Sequence, residues 1–138
     1  MPRVEIPEKQ GSADYLYVES AADLVGLVQA GALEIHPWGS HIDDVEHPDI
    51  LVFDLDPSPG VNWKEILRVA GTLRDRLESL GMQSFVRTTG GKGLHLVVPL
   101  VPEADWEQAK AFARAVAQLH AKDDPERLTT QTSKTKRE

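Results

Sequence analysis

From residue 50 onward, the pattern of apolar and polar positions predicts the element order β-α-β-β-α. The segment 50–56, ILVFDLD, has the composition of a buried strand. Asn62 and Glu65 have the spacing of a helix cap, and apolar residues then recur at the helical period as far as Gly81. The predicted buried face of this helix consists of Ile66, Ala70, Leu73, Leu77 and Leu80.

Two more strands and a last helix follow. The segments QSFVRT and LHLVVPL flank the tight loop TGGKG, so they are predicted to form a hairpin. Asp105 is the predicted start of the last helix. The buried face of that helix is predicted to consist of Ala109, Phe112, Ala113, Val116 and Leu119.

The first part of the chain has weaker signals. The segment DYLYV, residues 14–18, is predicted to be a short strand. SAADLVGLVQAG is predicted to be a helix, because Ser20 and Asp23 have the spacing of a capping box and Gly31 supplies a stop. ALEIHPWGS is predicted to be a strand that runs into a turn.

These elements predict an α+β fold, a mixed sheet with helices. The order from residue 50 resembles the compact, RRM-like β-α-β-β-α-β unit, whose last strand closes the sheet beside the first. Since the sequence stops after TTQTSKTKRE, we expect a fragment that lacks this closing strand. Residues 1–49 are expected to form an N-terminal α/β segment, and residues 50–138 the catalytic β-α-β-β-α unit.

Composition narrows the possible ligands and the compartment. The chain has 138 residues, no cysteine and five histidines, so disulfides and cysteine-ligated zinc are excluded. Carboxylates and histidines remain as metal ligands, which favours magnesium or manganese. No apolar run approaches the roughly 20 residues that span a bilayer, and the N-terminus is not a signal peptide. We therefore expect a cytoplasmic protein without a membrane partner.

The charge is divided unevenly along the chain. Residues 1–60 carry 12 acidic and two basic side chains, a net charge of −10, whereas residues 61–138 carry 10 acidic and 13 basic ones, net +3. A polyanion is therefore expected to meet the second half. The basic tail TSKTKRE is either a phosphate contact or a solvated end.

Asp54 and Asp56 are the first candidates for chemistry. Residues two apart on a strand point to the same face, so both carboxylates project away from Leu51, Phe53 and Leu55. Two adjacent carboxylates repel each other unless a positive group lies between them. A divalent metal ion, a phosphoryl-transfer site or a protonated partner could each explain why two carboxylates lie side by side.

Two other kinds of site share parts of this aspartate motif. An EF-hand calcium loop is disfavoured, because Pro59 stands where that loop needs glycine and a strand precedes the motif. A haloacid-dehalogenase-type phosphatase, with Asp54 as nucleophile and Asp56 as general acid, stays open. That family prefers threonine or valine at the position of Ser58.

The loop RTTGGKG adds candidates for anion binding. The adjacent glycines Gly90 and Gly91 let backbone N–H groups approach an anion closely, and Lys92 adds a charge. The pattern is not a P-loop, because a strand follows it instead of a helix. His95 alternates with buried positions, so it is expected to share the open face of the sheet with the aspartate pair. A lone strand histidine is more often structural, so both roles stay open.

Four ordered blocks carry a family resemblance: EIHPWGS, FDLDPSPG, SFVRTTGGKGLHLVVPL and TTQTSKTKR. Together they resemble the polymerase domain of bacterial ATP-dependent DNA ligase D, an archaeo-eukaryotic primase-type polymerase of non-homologous end joining. The resemblance implies that the chain is one partial primase-polymerase domain. It also implies roles for individual residues. These are metal binding by Asp54 and Asp56, and nucleotide or triphosphate binding by His36, Thr89, Gly91, Lys92, His95 and Arg137.

The implied activity is two-metal nucleotidyl transfer that fills gaps and extends DNA ends. Its cofactor is manganese or magnesium, and its substrate is a nucleoside triphosphate. The implied partners are gapped DNA, Ku and ligase or phosphoesterase domains. The implied location is the cytoplasm, at the nucleoid. A third metal-binding aspartate is expected beyond Glu138. An inactive nucleotide-binding fragment or protein-interaction module is the alternative.

Overall fold

The computed structural model describes residues 2–8 and 11–123. The chain divides into two compact units, Met1–Trp38 and Gly39–Glu138. Both units combine helices with antiparallel strands, so the predicted α+β class is confirmed. Among the described helices, none has the length and apolar character needed to cross a membrane.

The first unit contains a two-stranded sheet and a helix. Strands β1 (Arg3–Glu8) and β2 (Gly11–Leu16) pair in antiparallel fashion, and helix α1 (Ala21–Gln29) follows. The side chain of Ser20 accepts a hydrogen bond from the backbone N–H of Asp23, and the Asp23 carboxylate accepts one from the Ser20 N–H. The predicted capping box is therefore confirmed.

Two predictions for this unit need correction. The strand predicted at 14–18 corresponds to β2, which ends at Leu16. Its extent is set by pairing with β1, a strand that was not predicted, and the pairing ends where Arg3 lies opposite Leu16. The predicted strand in ALEIHPWGS does not form. That segment has no pairing strand in the described part of the chain, and Pro37 removes one backbone donor, so its apolar side chains remain exposed.

The second unit has the predicted order of elements. Strand β3 (Ile50–Leu55) is followed by helix α2 (Trp63–Ser79), strands β4 (Phe85–Thr88) and β5 (Leu94–Pro99), and helix α3 (Trp106–Asp123). The strand order is β3-β5-β4, and both pairs are antiparallel, so the predicted hairpin is confirmed. The Asn62 side chain accepts a hydrogen bond from the Glu65 N–H and caps α2, as predicted.

Both helices of the second unit pack on the same face of this sheet. The central strand β5 contributes Leu94, Leu96 and Val98, each at most 2% exposed. The rest of the core cluster consists of Phe53, Ile66, Ala70, Leu73, Leu77 and Val116. Burial of these side chains stabilises the sheet. Its second face carries Asp54, His95 and Arg87 together with the exposed apolar side chains of Val52 and Phe85.

The predicted buried faces of α2 and α3 differ from the observed ones at their C-terminal ends. Leu80 follows the last residue of α2 and is exposed. Leu119 is 51% exposed, and the neighbouring His120 takes the buried position instead. His120 lies one turn beyond Val116 on the same face of α3, so burial follows the face of the helix and not the more apolar side chain.

Candidate functional site

The candidate site begins with a row of three polar side chains across the open face of the β3-β5-β4 sheet. Asp54 on β3 lies opposite His95 on β5, and His95 lies opposite Arg87 on β4. Since directly opposite residues of antiparallel strands share a face, the three side chains become neighbours. His95 Nε2 lies 3.4 Å from an Asp54 carboxylate oxygen, and an Arg87 nitrogen lies 2.7 Å from His95 Nδ1.

The hydrogen bonds of this row indicate which tautomer His95 adopts. A guanidinium group has donors and no acceptor, so the Nδ1 atom of His95 must accept from Arg87. The ring proton is then on Nε2, which faces Asp54. His95 is half-buried, with 23% of its side chain exposed, while Asp54 is 57% exposed. The row therefore presents a carboxylate and an N–H donor to an incoming ligand.

Asp56 lies just beyond the end of β3, where the backbone at Gly93 comes very close to Leu55 and Asp56. A Cβ atom added to Gly93 would lie 2.9 Å from the Leu55 carbonyl oxygen and 3.1 Å from an Asp56 carboxylate oxygen. A side chain at position 93 would thus push β5 away from the aspartate pair. Gly93 lets the hairpin loop reach the Asp56 carboxylate.

The loop between β4 and β5 is held by the Thr89 hydroxyl. This hydroxyl donates to the Gly93 carbonyl at 3.2 Å and accepts from the Gly91 N–H at 3.3 Å. Gly90 has a φ of +79°, which an L side chain rarely adopts. These features order the turn and place the exposed Lys92 at the same end of the sheet as Asp56.

A pocket of about 410 Å³ lies beside this loop. One wall is formed by Gly91 and Lys92, and the other by the start of α2, where Trp63 is 47% exposed. The remaining lining residues are Pro57, Ser58, Pro59, Gly60, Val61 and Ile66. An apolar cavity with one cation at its rim has the composition of a small-molecule site.

The structure brings together most of the residues that the sequence singled out. Asp54 and His95 are in contact, and Asp56, Thr89, Gly91 and Lys92 lie at the adjoining end of the same sheet. His36 belongs to the first unit, where its ring lies 3.2 Å from the Glu34 carboxylate. Arg137 lies outside the described residues.

Arg87 was missed by the sequence reasoning, although a signal was present. The predicted hairpin brackets loop residues 89–93, so Thr88 pairs with Leu94 and, one step further, Arg87 pairs with His95. Counting back from the loop would have placed this arginine on the face of the candidate histidine.

The donor set can be compared with what a divalent cation needs. Asp54 and Asp56 offer hard carboxylate oxygens, and magnesium is often held by one or two carboxylates together with water and substrate phosphates. In the described ranges 2–8 and 11–123, no cluster of three or more histidine, aspartate or glutamate side chains is arranged to hold a metal. A cation held by this pair would have to complete its coordination sphere with water or a phosphate ligand.

The fold is that of a polymerase domain. A solved structure described as the polymerase domain from Mycobacterium tuberculosis ligase D in complex with DNA matches with a TM-score of 0.85 and 32% sequence identity, over 99% of this chain and 50% of that one. The chain belongs to the family of LigD primase-polymerase domains, which it matches over residues 1–138. This membership confirms the family resemblance drawn from the four sequence blocks.

Curated relatives agree with this membership. The multifunctional non-homologous end joining protein LigD of Pseudomonas aeruginosa is 41% identical over 119 residues, which are 86% of this chain and 14% of that protein. The bifunctional non-homologous end joining protein LigD of Bacillus subtilis is 31% identical over 122 residues, 88% of this chain and 20% of that protein. The chain therefore spans less than a quarter of either relative.

Proposed function

We propose that this chain carries the nucleotide-binding and catalytic edge of a primase-type polymerase, which transfers nucleotides to DNA ends. The observation that carries the proposal is the contact between Asp54 and His95 on the open sheet face, beside the loop of Lys92. Family membership supports the class of reaction. No comparable observation favours a phosphatase that uses Asp54 as a nucleophile.

The aspartate pair is the proposed place for magnesium or manganese. Asp54 and Asp56 supply the hard oxygen ligands, and the triphosphate of the substrate would complete the coordination. Divalent ions bound there would activate a primer 3′-hydroxyl and neutralise the leaving pyrophosphate, as in two-metal nucleotidyl transfer.

The hairpin loop is the proposed holder of the triphosphate. Lys92 offers a point charge. Next to it, the Gly91 N–H donates a hydrogen bond to the Thr89 hydroxyl, which fixes the direction of the loop backbone. His95 offers its Nε2–H as a hydrogen-bond donor next to Asp54. These groups bind and orient the substrate, and positioning of this kind accounts for much of the rate in phosphoryl transfer. His36 and Arg137 are proposed as further nucleotide contacts on the family resemblance alone.

DNA ends or gapped DNA are the proposed partner of the intact protein. The matching mycobacterial domain was solved in complex with DNA, and the curated relatives are named for non-homologous end joining. The net charge of +3 in residues 61–138 is compatible with a polyanion near that part of the chain, in contrast to the −10 of residues 1–60. Ku and the ligase or phosphoesterase domains are proposed partners by family membership only.

Primer extension tests this proposal. A gapped duplex is incubated with manganese, ribonucleotides and either the intact wild-type protein that contains this chain or its Asp54→Asn/Asp56→Asn variant, and Asp75→Asn on α2 serves as the matched acidic control. We expect extension by the wild type and by Asp75→Asn, and at least a hundredfold loss in the double variant, because misplaced cations commonly slow transfer by orders of magnitude.

The other outcomes separate the alternatives. Equal extension by the wild type and the double variant would place the cations elsewhere and overturn the proposed site. An absence of extension by the wild type, together with metal-dependent nucleotide binding that the double variant loses, would support a nucleotide-binding module instead of a polymerase.

A further inference from the structure

Arg87 has no role in the site as proposed, yet its geometry is specific. It lies on β4 directly opposite His95 on β5, and the Nη2 atom of its guanidinium is 2.7 Å from His95 Nδ1. The contact is charge-assisted and short, which is typical of the stronger hydrogen bonds in proteins. Asp54 completes the row on the opposite side of the imidazole ring.

We infer that Arg87 is a positioning residue that acts through His95. Because Arg87 donates to Nδ1, it selects the tautomer with hydrogen on Nε2 and fixes the plane of the ring between β4 and β3. Nε2–H then faces Asp54, where the proposed triphosphate would arrive. The last step rests on the proposed function, whereas the tautomer and ring orientation do not.

The physical advantage of this arrangement is a hydrogen-bond donor for phosphate, the Nε2–H group, whose direction is set by the contact at the other ring nitrogen. Arg87 has hydrogen-bond donors only, so its partner in the ring is the Nδ1 atom, and Nε2 is the ring atom that faces Asp54. The positive charge is then supplied by Arg87 behind the ring. A direct contact between Arg87 and phosphate is the competing hypothesis, and it makes a different prediction when His95 is absent.

The first experiment tests the contact without any ligand. Nitrogen-15 NMR of the histidine rings is recorded about two pH units above the ordinary histidine pKa for the wild type, Arg87→Ala and Arg87→Lys. We expect Arg87→Ala to move the His95 Nδ1 resonance towards that of a ring nitrogen without a donor, and Arg87→Lys to restore much of the difference. Arg74→Ala is the matched control, because Arg74 pairs with Asp75 on α2 and should leave His95 unchanged. An unchanged His95 spectrum in Arg87→Ala would overturn the inference.

The second experiment is a double-mutant cycle on nucleotide binding. The affinity for ATP with magnesium is measured for the wild type, Arg87→Ala, His95→Ala and the double variant, after near-UV circular dichroism has shown that each is folded. We expect Arg87→Ala to weaken binding by about tenfold in the wild-type background and by less than about twofold in the His95→Ala background.

The cycle distinguishes failure of this inference from failure of the proposed function. A similar loss in both backgrounds would show that Arg87 contacts the phosphate directly, which would overturn the positioning role. Absence of ATP binding by the wild type would refute the proposed nucleotide site. In that case, the NMR comparison of Arg87→Ala with Arg74→Ala still decides whether Arg87 positions His95.

Discussion

At the scale of single residues, Gly93 controls how closely β5 approaches the aspartate pair. We expect Gly93→Ala to destabilise the protein by about 1–3 kcal/mol, because its Cβ would meet the Leu55 carbonyl oxygen at 2.9 Å and a backbone atom cannot move without shifting the strand. Urea unfolding measures this change. Gly91→Ala is the matched control, since its Cβ would lie 3.7 Å from the nearest side-chain atom, the Thr89 hydroxyl. Equal stability of the two variants would contradict the close approach at Gly93.

The candidate site was predictable residue by residue only where strand alternation decides the direction of a side chain. Alternation placed Asp54 and His95 on the open face, and the structure brings them to 3.4 Å. Arg87 needed the register of the hairpin in addition, and the role of Gly93 needed the distance between two strands. Neither quantity follows from periodicity within one segment.

At the scale of elements, α2 and α3 meet around a buried histidine. His120 is 7% exposed, and its Nε2 atom has no hydrogen-bond partner in the described part of the chain. Burial is the main cause that lowers the pKa of His120 below its ordinary value of 6.5, and the charge of Arg76 adds to the effect, whereas Asp123 opposes it. The helices therefore pack best while this imidazole is neutral.

This packing predicts a pH dependence of stability. Because the pKa of His120 is lower in the folded than in the unfolded state, its contribution is present above the unfolded value of 6.5 and is lost as pH falls from there through the folded pKa. We expect His120→Gln to reduce the loss of unfolding free energy between about pH 7.5 and 5.5, measured by urea denaturation.

His47 supplies a control of opposite sign. Its hydrogen bond with Asp44 is the main cause that raises the pKa of His47, so its contribution is present below the unfolded pKa and is lost as pH rises. His47→Gln should therefore steepen the loss of stability towards low pH. Identical pH profiles for His120→Gln and the wild type would contradict the effect of burial at His120.

The elements themselves were predictable where local signals and burial agree. The caps at Ser20 and Asn62 and the hairpin around TGGKG were confirmed, because each depends on residues close together in sequence. The strand in ALEIHPWGS was wrong and β1 was missed. A strand needs a partner, and the choice of partner is a property of distant residues that a local pattern does not contain.

At the scale of the whole molecule, the chain combines an acidic N-terminal part, residues 1–60, with the proposed nucleotide-binding edge of the β3-β5-β4 sheet. The family assignment covers residues 1–138, and the solved mycobacterial polymerase domain is about twice as long as the part that this chain matches. The binding properties of the sheet edge can be measured on this chain itself.

The central claim is that Asp54 and Asp56 form, with the hairpin loop, a site for a metal-bound nucleoside triphosphate. Calorimetric titration of ATP with manganese into the wild type, Asp54→Asn/Asp56→Asn and the control Asp75→Asn tests this claim most directly. The account predicts saturable binding by the wild type and Asp75→Asn, and an affinity at least about tenfold weaker in the double variant, since two charged ligands of the cation are lost. The same affinity in all three proteins would contradict it.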